Sequence, residues 1–512
     1  MPSKLVATQA ALDRAAIDQL RIIGGSQTRD DDIVYEGTQW KVPAKYVGNP
    51  TAAAKEFIRF VELQEEEVIV DKTFSYLPMD GAHATYHCLK KFFGYAQSKA
   101  RMGPFGKEPP QEITIDIGWD GGVMQHVTVP WGDLVLPGLR GATLTTTQAK
   151  SPETGGQVFR LYAKCRRADK PAIDGFYKMV EQYLETDSIY RGKAMTGNME
   201  FIDTEAIDPS KFVYTEQAWA DIEVAILSPL RDNDIIRQAG LATKRASLLE
   251  GPYGTGKSGF GSTATKVAVA NEVTAFNVRP GQDDPFLVMK VAAMYAGTKY
   301  RAFVFIEDVD TFASQTDPQY ITRLLDTFDS ARTKGIDLTL VMTTNHKNEI
   351  HKGMLRPGRL DAIIEIGAMD RPGVEKLAHL VIGDNLEPDV DFDRVFEATE
   401  GYMPAFVREG LERAIRYTIA RTRTIGKINT EDLIRAMGSL RPQHDLHEGA
   451  SDRREKLPPL DQMFRRMMAE EVTPPLDDIE SIVANQLSNK MNGAILTGFD
   501  DGKRKLVVNT ND

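Results

Sequence analysis

Eight consecutive residues, Gly251-Pro252-Tyr253-Gly254-Thr255-Gly256-Lys257-Ser258, carry the spacing G-x-x-x-x-G-K-[ST]. Glycines let successive backbone N–H groups converge on phosphate oxygens, and a helix opening at Lys257 adds its positive dipole end. Lys257 is placed to bridge β- and γ-phosphates, and Ser258 to ligate Mg²⁺. Pro252, Tyr253, Gly254, Thr255, Gly256, Lys257, Ser258 and the following Gly259 are therefore the candidate nucleotide-binding residues. A second run, Phe303-Val304-Phe305-Ile306-Glu307-Asp308-Val309-Asp310, is apolar and then abruptly acidic. Such a run can be a strand meeting a solvated loop. At the C-terminal end of a parallel strand beside a phosphate loop, however, carboxylates meet the metal ion and the attacking water, which makes Glu307 and Asp308 candidates for that work.

Both motifs need a rigid frame. The phosphate string follows the apolar strand Ala246–Glu250, and further strands are expected at Val273–Val278, Ala302–Glu307, Leu338–Thr343 and Ala362–Ile366, each separated by helical pattern. That rhythm predicts an α/β subdomain with a parallel five-stranded sheet over 212–367. From Pro372 the pattern turns almost wholly helical, through Phe406–Ile419 and Thr430–Met437, and predicts a small helical lid over 368–442.

Upstream, 31–190 reads as an α+β domain joined by a linker over 191–211. Phe57, Ile58, Val61 and Leu63 recur at helical spacing, Val68–Phe74 reads as a strand and Ala82–Phe93 as a helix. Ile113, Ile115, Ile117 and Trp119 alternate before Asp120-Gly121-Gly122, with Val127 and Val129 beginning the return of a hairpin. A strand at Val158–Ala163 and a helix near Phe176–Leu184 complete it. Residues 1–30 read as an arm, and 443–512 as a tail broken by Pro458-Pro459 and Pro474-Pro475.

At 512 residues the chain is long enough for three or four domains. With 42% hydrophobic and 26% charged residues it has the composition of a globular protein, which excludes disorder and a disulfide mini-scaffold. No apolar run reaches about 18 residues, and the charged start does not read as a signal peptide, so a cytoplasmic location without a membrane span is expected. The formal net charge of −11 disfavours a surface built to neutralise nucleic acid. Cys88 and Cys165 are too few for a disulfide framework or a four-cysteine zinc site.

Over roughly Phe212–Asp445, these motifs resemble the AAA ATPases, a clade of the wider AAA+ superfamily. The lead-in Gly240–Glu250, the helix Leu324–Asp329, the strand Val341-Met342-Thr343-Thr344-Asn345 and the string Gly353-Met354-Leu355-Arg356-Pro357-Gly358-Arg359-Leu360-Asp361 all fit that pattern. The resemblance implies a fold of P-loop AAA core plus helical lid. It also implies ATP and Mg²⁺ as ligands, and ATP hydrolysis coupled to remodelling, disassembly or translocation of a macromolecular, chiefly protein, client. Asn345 is then the group that senses the γ-phosphate or the attacking water. Arg356 and Arg359 are arginine fingers reaching a neighbouring subunit's site, which requires a homo-oligomeric ring, by family expectation a hexamer. Gly401 and Ala405 correspond to a small-residue motif near adenine and ribose. Arg408 reads as a helix-face arginine.

Two departures qualify this likeness. The acidic strand ends Glu307-Asp308, where the family usually has the reverse order, an inversion similar to that of the mitochondrial AAA translocase of the Rieske protein. Asp308 is then the water-polarising group, and Glu307 takes the metal side, partly through water, together with Ser258. In addition, Asn277–Asp284 lacks the aromatic of a substrate-threading loop, and Phe286 reads as a buried helix face, so threading loses weight against remodelling of a folded client. An ATP-binding switch with weak hydrolysis and a DNA helicase or loader are the rival readings. His83, His87 and Cys88 read as packing residues rather than metal ligands. Lys503-Arg504-Lys505 reads as a solvated tail rather than a nucleic-acid patch.

Overall fold

The computed structural model describes residues 32–35, 38–41, 45 and 49–446, apart from 104–105, 137, 140, 153–154, 280, 297–299, 314–319, 330–335 and 346–359. The expected arm lies outside the described residues, as does the expected tail beyond residue 446, and with them Arg356, Arg359 and Lys503–Lys505. By internal contacts the chain divides into 1–438 and 439–512. The described part of the second unit carries a short helix at 441–446.

The chain begins with a hairpin, β1 (Asp32–Tyr35) and β2 (Thr38–Lys41), then helix α1 (Pro50–Glu65), strand β3 (Glu67–Thr73) and helix α2 (Pro78–Phe93). Helix α2 closes on Gly94, whose N–H donates to the Lys90 carbonyl at 3.0 Å. A small hairpin, β4 (Arg101–Gly103) and β5 (Gly106–Glu108), precedes β6 (Gln111–Asp120), β7 (Val123–Val135), β8 (Thr143–Lys150), β9 (Gln157–Arg166) and helix α3 (Lys170–Thr186). Strands β3, β9, β8, β7 and β6 form one antiparallel sheet in that order. Helices α2 and α3 pack on it around Leu89, Leu144, Phe159, Leu161 and Val180, all fully buried. The hairpin expected at Gly121-Gly122 is present, with Asp120 paired to Val123 across those two residues. Strand β8 was not anticipated, because its sequence TLTTTQAK is too polar to read as a strand.

The second sheet comprises β10 (Ala194–Thr196), β11 (Arg245–Glu250), β12 (Thr274–Val278), β13 (Arg301–Ile306), β14 (Asp337–Thr344) and β15 (Ala362–Glu365). All pairings are parallel, in the order β10-β12-β13-β14-β11-β15. The five expected strands are each there. The sixth, β10, corrects the five-stranded expectation: a three-residue stretch of the anticipated linker, Ala194–Thr196, pairs with Ala275–Asn277 at the sheet edge. Every residue from Ala302 to Ile306 is buried, the pattern of a parallel strand covered on both faces.

Helices α4 (Glu216–Ile222), α5 (Lys257–Ala270), α6 (Pro285–Tyr295) and α7 (Tyr320–Asp329) accompany this sheet. The lid is α8 (Arg371–Ile382), α9 (Phe392–Ala398), α10 (Pro404–Thr422) and α11 (Thr430–Gly438). The two sheets are not insulated from each other. Ala82, Ile115 and Val129 of the antiparallel region belong to one apolar cluster with Met195, Phe276, Val288, Tyr295, Val304 and Leu340. At this seam the fully buried Asp80 carboxylate accepts from Ser188 Oγ at 2.6 Å, Ile189 N at 3.1 Å and Tyr295 OH at 3.1 Å.

Candidate nucleotide site

Strand β11 ends at Glu250 and α5 begins at Lys257, so residues 251–256 are forced into a tight loop at the C-terminal end of the parallel sheet. Gly256 completes that loop in the left-handed region (φ 92°), which only glycine adopts without strain. Lys257 is buried, and burial lowers its pKa, partly opposed by the charges of Asp308 and Asp310. Its ammonium donates to the carbonyls of Gly251 at 2.7 Å and Pro252 at 2.9 Å, and to Asn345 Oδ1 at 2.8 Å.

Asn345 stands one residue beyond β14, the strand between β11 and β13. Its Nδ2 donates to Asp308 Oδ1 at 3.0 Å, and its backbone N–H donates to Asp310 Oδ1 at 3.3 Å. Asp308 follows β13 with φ 42°, and its N–H donates to Thr343 Oγ1 at 2.8 Å. Lys257, Asn345 and Asp308 thus form one hydrogen-bonded chain across the ends of three adjacent strands.

A cavity of about 440 Å³ lies over this chain, within the ordinary size of a small-molecule site. The loop contributes Tyr253 to Ser258, and the other two expected strand-end residues that line it are Asp308 and Asn345. The lid contributes Leu377, Pro404, Ala405 and Arg408, and it is tied to the loop where the Ala405 N–H donates to the Gly254 carbonyl at 3.0 Å. Lysine and arginine outnumber the single lining carboxylate, which suits a polyanion.

Not every expected residue reaches the cavity. Pro252, Gly259, Gly401 and Glu307 are not among its lining residues. Pro252 instead offers its carbonyl to Lys257, and the Glu307 N–H continues the sheet by donating to the Val278 carbonyl at 3.1 Å. Gly401, with φ 79°, belongs to the turn before α10. Arg408 is on a helix face as expected, but that face lines the cavity, and its Nη2 donates to the Lys211 carbonyl at 2.5 Å. Elsewhere, the Arg279 N–H donates to the buried Asp283 carboxylate at 2.8 Å, and Phe286 packs edge-on against Tyr320 at 5.2 Å. His87 stacks on Tyr183 at 4.5 Å.

Sequence reasoning missed one wall of the cavity, Lys211-Phe212-Val213-Tyr214, between a short 3₁₀ turn and α4. A usable signal existed. Three bulky residues in a stretch with neither strand nor helix periodicity need a concave partner to bury them. Thr343, which holds the Asp308 backbone, was likewise read only as part of a strand.

The sequence is also similar to known proteins. A family described as "ATPase family associated with various cellular activities (AAA)" matches residues 247–368. The cell division cycle protein 48 homolog of Archaeoglobus fulgidus is 25% identical over 40% of this chain and 29% of its own length. The proteasome-activating nucleotidase of Saccharolobus solfataricus is 22% identical over 50% of this chain and 68% of its own. The 26S proteasome regulatory subunit 6B homolog of Aspergillus niger is 29% identical over 44% of this chain and 56% of its own. In the first two of these the match spans from under a third to about two thirds of the relative. The phosphate loop and most of the parallel sheet fall inside the matched segment, so it is residues 247–368 that are similar to the AAA ATPase family.

Proposed function

We propose that the protein is a ring-forming ATPase that couples ATP binding and hydrolysis to remodelling, disassembly or translocation of a protein client. The observation that carries the catalytic part is the chain Lys257–Asn345–Asp308 at the rim of the cavity. It links the group that binds phosphate to the only carboxylate lining the cavity among the described residues. Asp308, held from its backbone by Thr343 and from its side chain by Asn345, accepts a proton from the attacking water. Asn345 orients that water and the γ-phosphate, and Lys257 supplies the fixed positive charge.

Ser258 lines the cavity and offers a hard oxygen donor, the chemistry Mg²⁺ prefers, while Glu307, which does not line it, would serve the ion through water. Mg²⁺, when bound there, neutralises phosphate charge.

Arg356 and Arg359 complete the site in our reading from a neighbouring protomer, in a head-to-tail ring, by family expectation a hexamer. The client is assigned by likeness, since relatives are named as proteasome-activating nucleotidases and a proteasome regulatory subunit. The antiparallel domain is the natural place for recruitment, and the cytoplasm the expected location. Among the described residues no helix is long and apolar enough to cross a membrane.

The test is phosphate release by Asp308→Asn. Hydrolysis is expected to fall at least about a hundredfold while ATP stays bound, and undiminished turnover would remove Asp308 from the mechanism. A second reading, an ATP-binding switch that scarcely hydrolyses, is favoured by Asp308 itself, one methylene shorter than the usual Glu and held at positive φ. Steady-state turnover of the native protein separates the two.

A further inference from the structure

The cavity wall at 211–214 also reaches the phosphate loop itself. Tyr214 OH donates to the Gly256 carbonyl at 2.9 Å, and the same oxygen accepts the Phe260 N–H at 3.0 Å. In a trans peptide the carbonyl and the next N–H point in opposite directions. Two donors on the Gly256 oxygen therefore fix where the Lys257 N–H points, and that N–H is one of those at the helix start that grip phosphate.

The phenol is itself held rigidly. Its ring lies against Trp219 with centroids 6.1 Å apart and 14° between planes, and edge-on to Phe260 at 6.5 Å. Two residues earlier, Phe212 occupies the space beside Gly259, where an added Cβ would come within 1.9 Å of the ring. A single segment thus presses on both sides of the loop-to-helix junction. Burial also raises the Tyr214 pKa, so the hydroxyl keeps its proton and remains a donor.

We propose that Tyr214 is a positioning residue for phosphate recognition, holding the Gly256–Lys257 peptide in its phosphate-binding orientation from the opposite side of the cavity. The proposal rests on the phosphate-site reading above. It predicts a signature that a base contact or a general packing role does not produce: the hydroxyl matters only to ligands that carry phosphates.

Tyr214→Phe keeps the ring and its stacking and removes only the donor. Binding of ATP, ADP and adenosine to the full-length native protein and the variant is measured by calorimetry, with competition for the weak ligand. ATP and ADP are expected to weaken about five- to tenfold, the worth of one hydrogen bond, while adenosine changes less than about twofold. Equal weakening of all three ligands, or no change for ATP and ADP, overturns the proposal. Lys257→Ala runs alongside. If it binds ATP like the native protein, the phosphate-site reading falls and takes this proposal with it. Loss in Lys257→Ala with none in Tyr214→Phe sinks the proposal alone.

Discussion

The two sheets solve the same packing problem in opposite ways. The antiparallel sheet alternates: in β6, Ile113, Ile115 and Ile117 turn inward while Glu112, Thr114 and Asp116 stay exposed. One face is packed and the other is polar, with Arg160 paired to Asp71 and Lys164 to Glu67 across neighbouring strands. The parallel sheet is buried on both faces, so polar side chains concentrate where its strands end. The candidate site follows that difference. Among the described residues, Lys257, Asp308 and Asn345 meet at strand ends of the second sheet, whereas the first has exposed ion pairs worth little individually.

The sharpest way to break this contrast is Lys257→Ala. It is expected to weaken ATP binding by at least about a hundredfold, because a charge-assisted contact to two phosphates is lost, while far-ultraviolet circular dichroism stays unchanged. Retained binding would mean that the strand-end cluster is not where the ligand sits. Next in size, Leu161→Ala removes a fully buried side chain from the antiparallel sheet and is expected to cost about 2–5 kcal/mol in urea unfolding. Below the transition its ATP affinity should match the native protein. A lowered affinity would show that the two regions do not divide packing from chemistry.

The seam between the sheets gives the smallest and most pH-specific effect. Burial raises the Asp80 carboxyl from its ordinary 3.8 to about 6, against hydrogen bonds from Ser188, Ile189 and Tyr295 that favour its charged form. The native chain then holds more protons than the unfolded one between those values. Its stabilising contribution is complete below about pH 4 and is lost as the pH rises through about 6. Asp80→Asn has no such titration. The stability advantage of the native protein over this variant should therefore grow by roughly 1 kcal/mol between pH 7 and pH 5, read from paired denaturation curves. A difference flat with pH would place the proton elsewhere.

Much of the frame was legible because burial on both faces leaves long apolar runs, and because the phosphate string Gly251–Ser258 follows one of them at once. Strand β10 was not, since three residues cannot display a period and Ala194–Thr196 becomes a strand only by lying beside β12. Nor was the wall at 211–214, whose residues contact a loop more than forty positions away. The Arg408 side chain illustrates the same limit. Its helix is readable, but its target is a backbone carbonyl of Lys211, and no residue type advertises that. Asp308 was identified from its acidic neighbour, yet its left-handed backbone depends on Thr343 from another strand.

The apolar cluster that joins Ala82, Ile115 and Val129 to Met195, Phe276 and Tyr295 has a practical corollary. A truncation that begins after α3 would strip oily cover from α6 and the β10 side of the parallel sheet. The antiparallel region is thus part of the packing of the parallel sheet rather than a detachable adaptor, and a fragment holding only the parallel sheet and the helices after it would need new polar residues on that bared face to remain dispersed.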